Sequence, residues 1–366
     1  MDGRLRLAHK RALKIGKKWI FWYNQIILQT FINLPANISE SVSRILLRSD
    51  ARVLSSLAKQ LHERYMQGEN PLEPNIQKPS DCIAYLGLRF PATYAQIASA
   101  LSQVAERIPS FQPKTVLELG CGPGTGIWAA KSVWPSINTS TGLDQEQLFL
   151  TLAEEIHFDS KMHLDTKWVK SSIIKWITTE DATRYDLIIM ANVFNELTQE
   201  ERDRIMEKIS VRSSGVVVVI EPGTTVGNAI IQNVAQTISV TQPLIAPYIN
   251  NRYVASDEYW VHFSQRLQRP EFQRRIRQSM RDSALMASDW EDAKFCYAAW
   301  GSIPVEKNFW GVCIGKIEKL KGFLVVPVLT ADGVIKARVL KRNKAEYAYA
   351  KNIRWGEALE TPIQTS

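Results

Sequence analysis

Apolar and polar positions change rhythm along this chain of 366 residues. Between 36 and 110, Leu46, Leu47, Val53, Leu54, Leu57 and Leu61 recur at helical spacing. Asn37-Ile-Ser-Glu40 offers a cap at the start, and turn formers at 68–71 and 73–75 break the pattern. A second apolar helix is predicted over 97–108. From Thr115 the rhythm shifts to short apolar runs at 115–119, 185–190 and 215–220, with a second short strand at 139–144, a third strand and turn within 162–174, and helical patterns between them. The run Gly215-Val-Val-Val-Val-Ile220 is that of a strand buried on both faces. Alternation of this kind predicts βαβ units and a parallel sheet. Residues 226–290 read as mainly helical again. Residues 307–356 read as short strands at 310–317, 322–329 and 333–340. The predicted organisation is a basic helix and helical region over 1–110, an α/β domain over 111–300 with a helical insertion at 226–290, and a small β module with a basic tail over 301–366.

The first of the apolar runs stops at Gly120-Cys-Gly-Pro-Gly124 and a helix follows. Glycines there let the backbone approach a ligand and adopt positive φ. The new helix adds N–H groups and the positive end of its dipole. The spacing Glu-x-Gly-x-Gly-x-Gly, from Glu118, differs from the Gly-x-Gly-x-x-Gly of dinucleotide binders. It resembles the first motif of class I S-adenosylmethionine (SAM) methyltransferases. The second strand ends in Asp144, where a carboxylate meets ribose hydroxyls in doubly wound sheets. Glu118, Gly120, Cys121, Gly122, Gly124, Asp144 and Asn192 are the candidate cofactor residues. Asn195 and Glu196 fit two roles, holding a ligand or capping the next helix.

Charge adds a second theme. Net charge is +8, yet residues 115–225 hold ten Lys/Arg against sixteen Asp/Glu. The flanks therefore carry the positive excess, which suits an anionic macromolecule. Arg266, Arg269, Arg274, Arg275 and Arg277 crowd one stretch, and Lys341 and Arg342 follow the last strand. These are the candidate RNA contacts, with a solvated face as the alternative. Residues 1–18 are basic, and 19–34 are apolar but interrupted by Asn24, Gln25, Gln29 and Asn33. That is shorter than a membrane span needs. A basic amphipathic helix is predicted, with a targeting or membrane-surface segment as the alternative. It lacks the serines of a mitochondrial presequence, which favours the bacterial cytoplasm over the mitochondrial matrix. Cys82, Cys121, Cys296 and Cys313 are far apart and suggest neither a disulfide framework nor a metal site.

The chemistry of a catalyst is harder to place. No Asn/Asp-Pro-Pro-Tyr/Phe follows the fourth strand, and the five histidines are scattered. Methyl transfer proceeds by positioning alone, so no residue is assigned as catalyst.

Further matches accumulate in order along the chain. They are Ala84-Tyr85 with Arg89-Phe-Pro-Ala-Thr-Tyr94, Leu117-Glu-Leu-Gly-Cys-Gly-Pro-Gly-Thr-Gly126, Asn195-Glu-Leu197, Glu221-Pro-Gly223, His262-Phe-Ser-Gln-Arg266, Glu291-Asp-Ala-Lys-Phe295 and Trp355-Gly356. Together they resemble the methyltransferase-like family of mitochondrial and bacterial small-ribosomal-subunit proteins. The resemblance implies a class I SAM-methyltransferase (Rossmann-like) fold, SAM binding, and contact with small-subunit rRNA in ribosome assembly or translation. A non-catalytic assembly or structural factor that keeps the fold is the alternative. The family often holds an iron–sulfur cluster on four cysteines. Here Tyr248, Val254, Val261 and Leu329 stand at the matching positions, so no cluster is expected.

Overall fold

A computed structural model describes residues 31–67, 75–180, 182–254, 260–280 and 288–363. The predicted basic helix lies outside them, apart from residues 31–34. Helices come first: α1 (Ala36–Leu46), α2 (Ala51–Gln67), α3 (Pro79–Leu88) and α4 (Phe90–Arg107). Then come β1 (Thr115–Leu119), α5 (Thr125–Val133), β2 (Thr139–Asp144), α6 (Gln147–Ser160), β3 (Asp165–Lys170), α7 (Ile173–Ile177) and β4 (Tyr185–Ala191). After a short 3-10 turn (Phe194–Glu196) follow α8 (Gln199–Arg212), β5 (Ser213–Pro222), α9 (Thr225–Ser239), β6 (Leu244–Ala246), β7 (Phe263–Gln268), α10 (Glu271–Ser279) and β8 (Trp290–Gly301). The chain closes with β9 (Gly311–Cys313), β10 (Glu318–Leu320), β11 (Phe323–Thr330), β12 (Gly333–Leu340), α11 (Lys344–Asn352) and β13 (Ala358–Leu359).

The central sheet runs β3-β2-β1-β4-β5-β8-β6, and β7 also pairs with β8. β1 to β5 are mutually parallel, and β8 is antiparallel to β5. This is the class I SAM-methyltransferase fold that the resemblance implies. β1, β4 and β5 are buried almost throughout. Burial on both faces is what their unbroken apolar runs require. α4 lies in the core along most of its length and is tied to β8 by side chains. Gln96 Nε2 donates to Lys294 O (2.7 Å), and Tyr297 Oη donates to Gln103 Oε1 (2.9 Å). The N-terminal helices are thus part of the same core as the sheet.

Two expectations change. Residues 226–290 are not a purely helical insertion, because β6 and β7 belong to the main sheet. Phe263, Gln265 and Leu267 point inward while Arg266 and Gln268 point out, a period of two that only six residues carry. The C-terminal module is a five-stranded antiparallel sheet, β10-β11-β9-β13 with β12 on β11, and it includes the unforeseen helix α11. Residues just before α1 also reach the main sheet. Ile32 N–H donates to Arg266 O (3.0 Å), and Gln268 N–H donates to Asn33 Oδ1 (2.8 Å), along the free side of β7.

Candidate ligand-binding cleft

The turn after β1 is built on left-handed backbone at Gly120 (φ 68°), Gly122 (φ 50°) and Gly124 (φ 78°). At Gly120 a Cβ would stand 2.5 Å from Val193 Cγ2. At Gly122 a Cβ would meet nothing within 4 Å, so this glycine faces the open side of the turn. Glu118 lies beneath the turn rather than in front of it. Its buried carboxylate accepts from Gly126 N–H (2.7 Å) and Ile127 N–H (2.9 Å). Two N–H groups at the start of α5 are therefore taken by the protein itself, and the helix end is not bare as the glycine pattern alone implies.

Burial pushes the Glu118 pKa up to about 8, against the pull of those two N–H donors. A carboxyl whose folded pKa lies above its ordinary 4.5 holds a proton that the unfolded chain has released. Its contribution to stability is full below the ordinary value and is lost as pH rises toward the folded one. Thermal midpoints are expected to fall from about pH 5 to about pH 8. Glu118→Gln is expected to be flatter across that window, so that its deficit is largest near pH 5 and shrinks or reverses toward pH 8. Parallel pH profiles for the two proteins would contradict this.

Asp144 ends β2 in front of the turn. Gly122 N–H donates to its Oδ2 (2.8 Å) and Glu146 N–H to its Oδ1 (2.8 Å). Burial raises its pKa. Each oxygen keeps a further lone pair, so the group can still accept from a ligand's hydroxyls.

Glu221, fully buried at the end of β5, organises the opposite wall. It accepts from the N–H groups of Val193 (3.1 Å), Phe194 (2.8 Å) and Asn195 (3.2 Å). With its amide nitrogen turned inward, Asn195 donates to Asn192 O (3.2 Å) and Glu221 Oε2 (3.0 Å). Asn192 is held at φ 57°, and its Oδ1 is buried without a partner among the described residues. Asn195 thus serves the loop and also lines the cleft.

These groups open on a cleft of about 410 Å³. Gly120, Gly122, Asp144 and Asn192 line it; Glu118, Cys121 and Gly124 do not. Its outer wall comes from the N-terminal helices, where Tyr65, Tyr85, Arg89 and Thr93 face it. Tyr85 Oη donates to Thr93 Oγ1 (3.1 Å), and the Arg89 guanidinium lies 4.7 Å from the Tyr65 ring centre. Tyr85, Arg89 and Thr93 belong to a stretch that carries the family resemblance, but the sequence assigns them no part in the cleft, and Tyr65 stands in no motif. Asp144, Glu146, Glu196 and Glu201 bring four carboxylates to the lining, and Arg89 is its one cation among the described residues. A larger hollow, about 580 Å³, lies between α1, α2 and α10 and is lined by apolar groups, serines and the mutually paired Glu271 and Arg275.

The arginine stretch is placed differently from a phosphate-binding row. Arg269 and Arg277 are buried and share Glu291 (3.4 and 3.2 Å), which also accepts from Gln273. Arg266 pairs with both oxygens of Asp292 (2.7 and 2.8 Å). Arg274 faces Asp289, and Arg275 pairs with Glu271. Every one of the five has an acidic partner. Lys341 and Arg342 are exposed on the second sheet. Tyr248, Val261 and Leu329 are buried in the main core. Among the described residues no group of three or more His, Cys, Asp or Glu could hold a metal. No described helix is long and apolar enough to cross a membrane.

Comparison with known proteins follows the same lines. The family model described as mitochondrial small ribosomal subunit Rsm22 matches residues 79–360. The human ribosome assembly protein METTL17, mitochondrial, is 22% identical over 153 residues, which is 41% of this chain and 34% of that protein. The match thus spans about a third of the relative's length. Among solved structures, a SAM-dependent methyltransferase from Agrobacterium tumefaciens aligns with a TM-score of 0.37 and 11% identity, over 57% of this chain and 62% of that one. The plantazolicin methyltransferase BpumL, solved with SAH, aligns at 0.33 and 14%, over 72% and 98%.

Proposed function

Because this chain belongs to the mitochondrial small ribosomal subunit Rsm22 family, we propose that it binds SAM in the cleft and acts on or in assembly of the small ribosomal subunit, in contact with rRNA. The observation that carries the SAM reading is the charge of the lining. Four carboxylates against one guanidinium repel a nucleotide polyphosphate. They favour a ligand with a sulfonium and an ammonium against one carboxylate. Asp144 would accept from the ribose hydroxyls, Asn192 Oδ1 from a ligand donor, and Arg89 would take the carboxylate of the amino-acid end. The backbone at Gly120 and Gly122 leaves room for close approach. Bound there, SAM would supply an electrophilic methyl group.

Calorimetric titration tests this. Asp144→Ala is expected to weaken SAM binding roughly 10- to 100-fold, the effect of losing hydrogen bonds to a charged group. Arg89→Ala is expected to weaken SAM about tenfold and to leave methylthioadenosine, which lacks the amino-acid end, nearly unchanged. Absence of binding to the unaltered protein at millimolar SAM would sink the reading.

A second reading, an assembly factor without turnover, has its own support. Among the described residues lining the cleft there is no His, Lys or Cys, and Glu201 is engaged with the backbone and hydroxyl of Thr198. The human relative is named for ribosome assembly. Methyl incorporation into purified small subunits, lost on Asp144→Ala, separates the two. The family description and that relative both name mitochondria, which supports the matrix as the compartment.

A further inference from the structure

Among the described residues a second concentration of positive charge lies away from the arginine stretch. Between 316 and 344 the chain carries eight Lys/Arg against Glu318 and Asp332. All eight are exposed. Arg338, Lys341 and Arg342 make no ion pair among the described residues, whereas each arginine from 266 to 277 in the earlier stretch has one.

These charges frame one face of a sheet. In the register of β10, β11 and β12, Leu320 and Leu340 flank Phe323, and Glu318 and Arg338 flank Val325. Paired residues point to the same side of a sheet, and neighbours along a strand alternate. The other side, with Leu324, Val326, Ala337 and Val339, is buried under Ala350 and Ile353 of the α11 region. Among the described residues the first side has no such cover. Leu320 is 46% exposed, Phe323 and Val325 are half-buried, and Arg338 is exposed. The Arg338 guanidinium lies over the Phe323 ring, 3.9 Å from its centre, a cation–π contact on this face.

We infer that the Phe323–Arg338 face of the C-terminal sheet is a platform for single-stranded RNA. The exposed guanidinium, backed by the half-buried aromatic ring beneath it, offers a planar group on which unstacked bases can lie. The surrounding lysines and Arg342 would track the phosphates. Three strands span about 10 Å, room for two or three bases and too narrow to follow a duplex groove. The inference rests on the ribosomal reading for its class of partner and deepens it by naming where RNA sits.

The test is fluorescence anisotropy of the full chain with a labelled single-stranded RNA of roughly ten nucleotides. Phe323→Ala is expected to weaken binding about tenfold with the salt dependence unchanged. Replacing Lys341 and Arg342 together by alanine is expected to weaken binding and to lower the slope of log K against log salt by about 1–2. Arg275→Ala, already paired with Glu271, is expected to change neither. Arg338→Ala gives a second probe that removes no half-buried ring, and thermal melts check that each variant is folded. Two results would overturn the platform: folded Phe323 and Arg338 variants that bind like the unaltered protein, or preference of that protein for duplex RNA or anionic phospholipid vesicles. Co-sedimentation with small subunits is scored separately. If it persists while the variants have no effect on RNA binding, the platform fails and the ribosomal reading stands. If it is absent while RNA binding depends on Phe323, the platform stands and the ribosomal reading fails.

Discussion

Replacing Glu221 by alanine is expected to lower stability by about 4 kcal/mol, although the residue does not line the cleft. Its carboxylate is fully buried and receives three consecutive backbone N–H groups, those of Val193, Phe194 and Asn195. A typical hydrogen bond contributes about 1 kcal/mol net, but a buried donor left unmade costs about 1–3 kcal/mol. Alanine strands several at once and opens a cavity. Glutamine keeps one oxygen for Val193 and Phe194 and turns its amide on Asn195, so about half the loss is expected. Urea unfolding of the three proteins gives this order directly. The same variant should lose SAM affinity, because Asn192 and Asn195 are held in place through this carboxylate. A loss below about 1 kcal/mol with alanine would mean that the loop is held by other contacts.

Replacing Glu291 by alanine is expected to cost about 3–5 kcal/mol, the range for breaking a buried ion pair from one side. It leaves Arg269 and Arg277, both nearly inaccessible, without their shared anion. Arg275→Ala serves as the contrast. Arg275 and Glu271 are each 66% exposed, and such pairs contribute under about 1 kcal/mol. Glu291→Ala combined with Arg269→Leu and Arg277→Met is expected to recover most of the loss, since the harm comes from the stranded charges. If the combination were worse than the single change, packing of the long arginine stems would be the main term.

What the sequence discloses depends on how local each cause is. β1, β4 and β5 are legible because each is a compact apolar run between breakers. Asp144 is legible because its strand ends on it. β8 is not, because its first half alternates and its second half, with Tyr297, Ala298, Ala299 and Trp300, is buried throughout and rich in helix formers. Its place beside β5 is a pairing between residues about eighty positions apart, such as Val218 with Ala299. α11 escapes because only Ala350 of its nine residues is buried, so it shows no apolar stripe. The arginine stretch shows the same limit from the other side. Spacing reveals that five arginines are close, but Asp289, Glu291 and Asp292, which neutralise four of them, lie at the start of another strand. Arg89 and Tyr65 come to the cleft only through the packing of α2 and α3 on the rest of the core.

The contact of Ile32 and Asn33 with β7 bears on how the protein behaves in solution. A strand whose outer side is bare is a template for a second molecule. Here that side is partly occupied by the chain's own residues just before α1. A shortened protein beginning after Leu34 would keep the sheet and the cleft but uncover β7, and self-association would follow from that edge rather than from any loss of folding. Fusions and cuts therefore belong upstream of residue 31, where the guard on the edge is left intact.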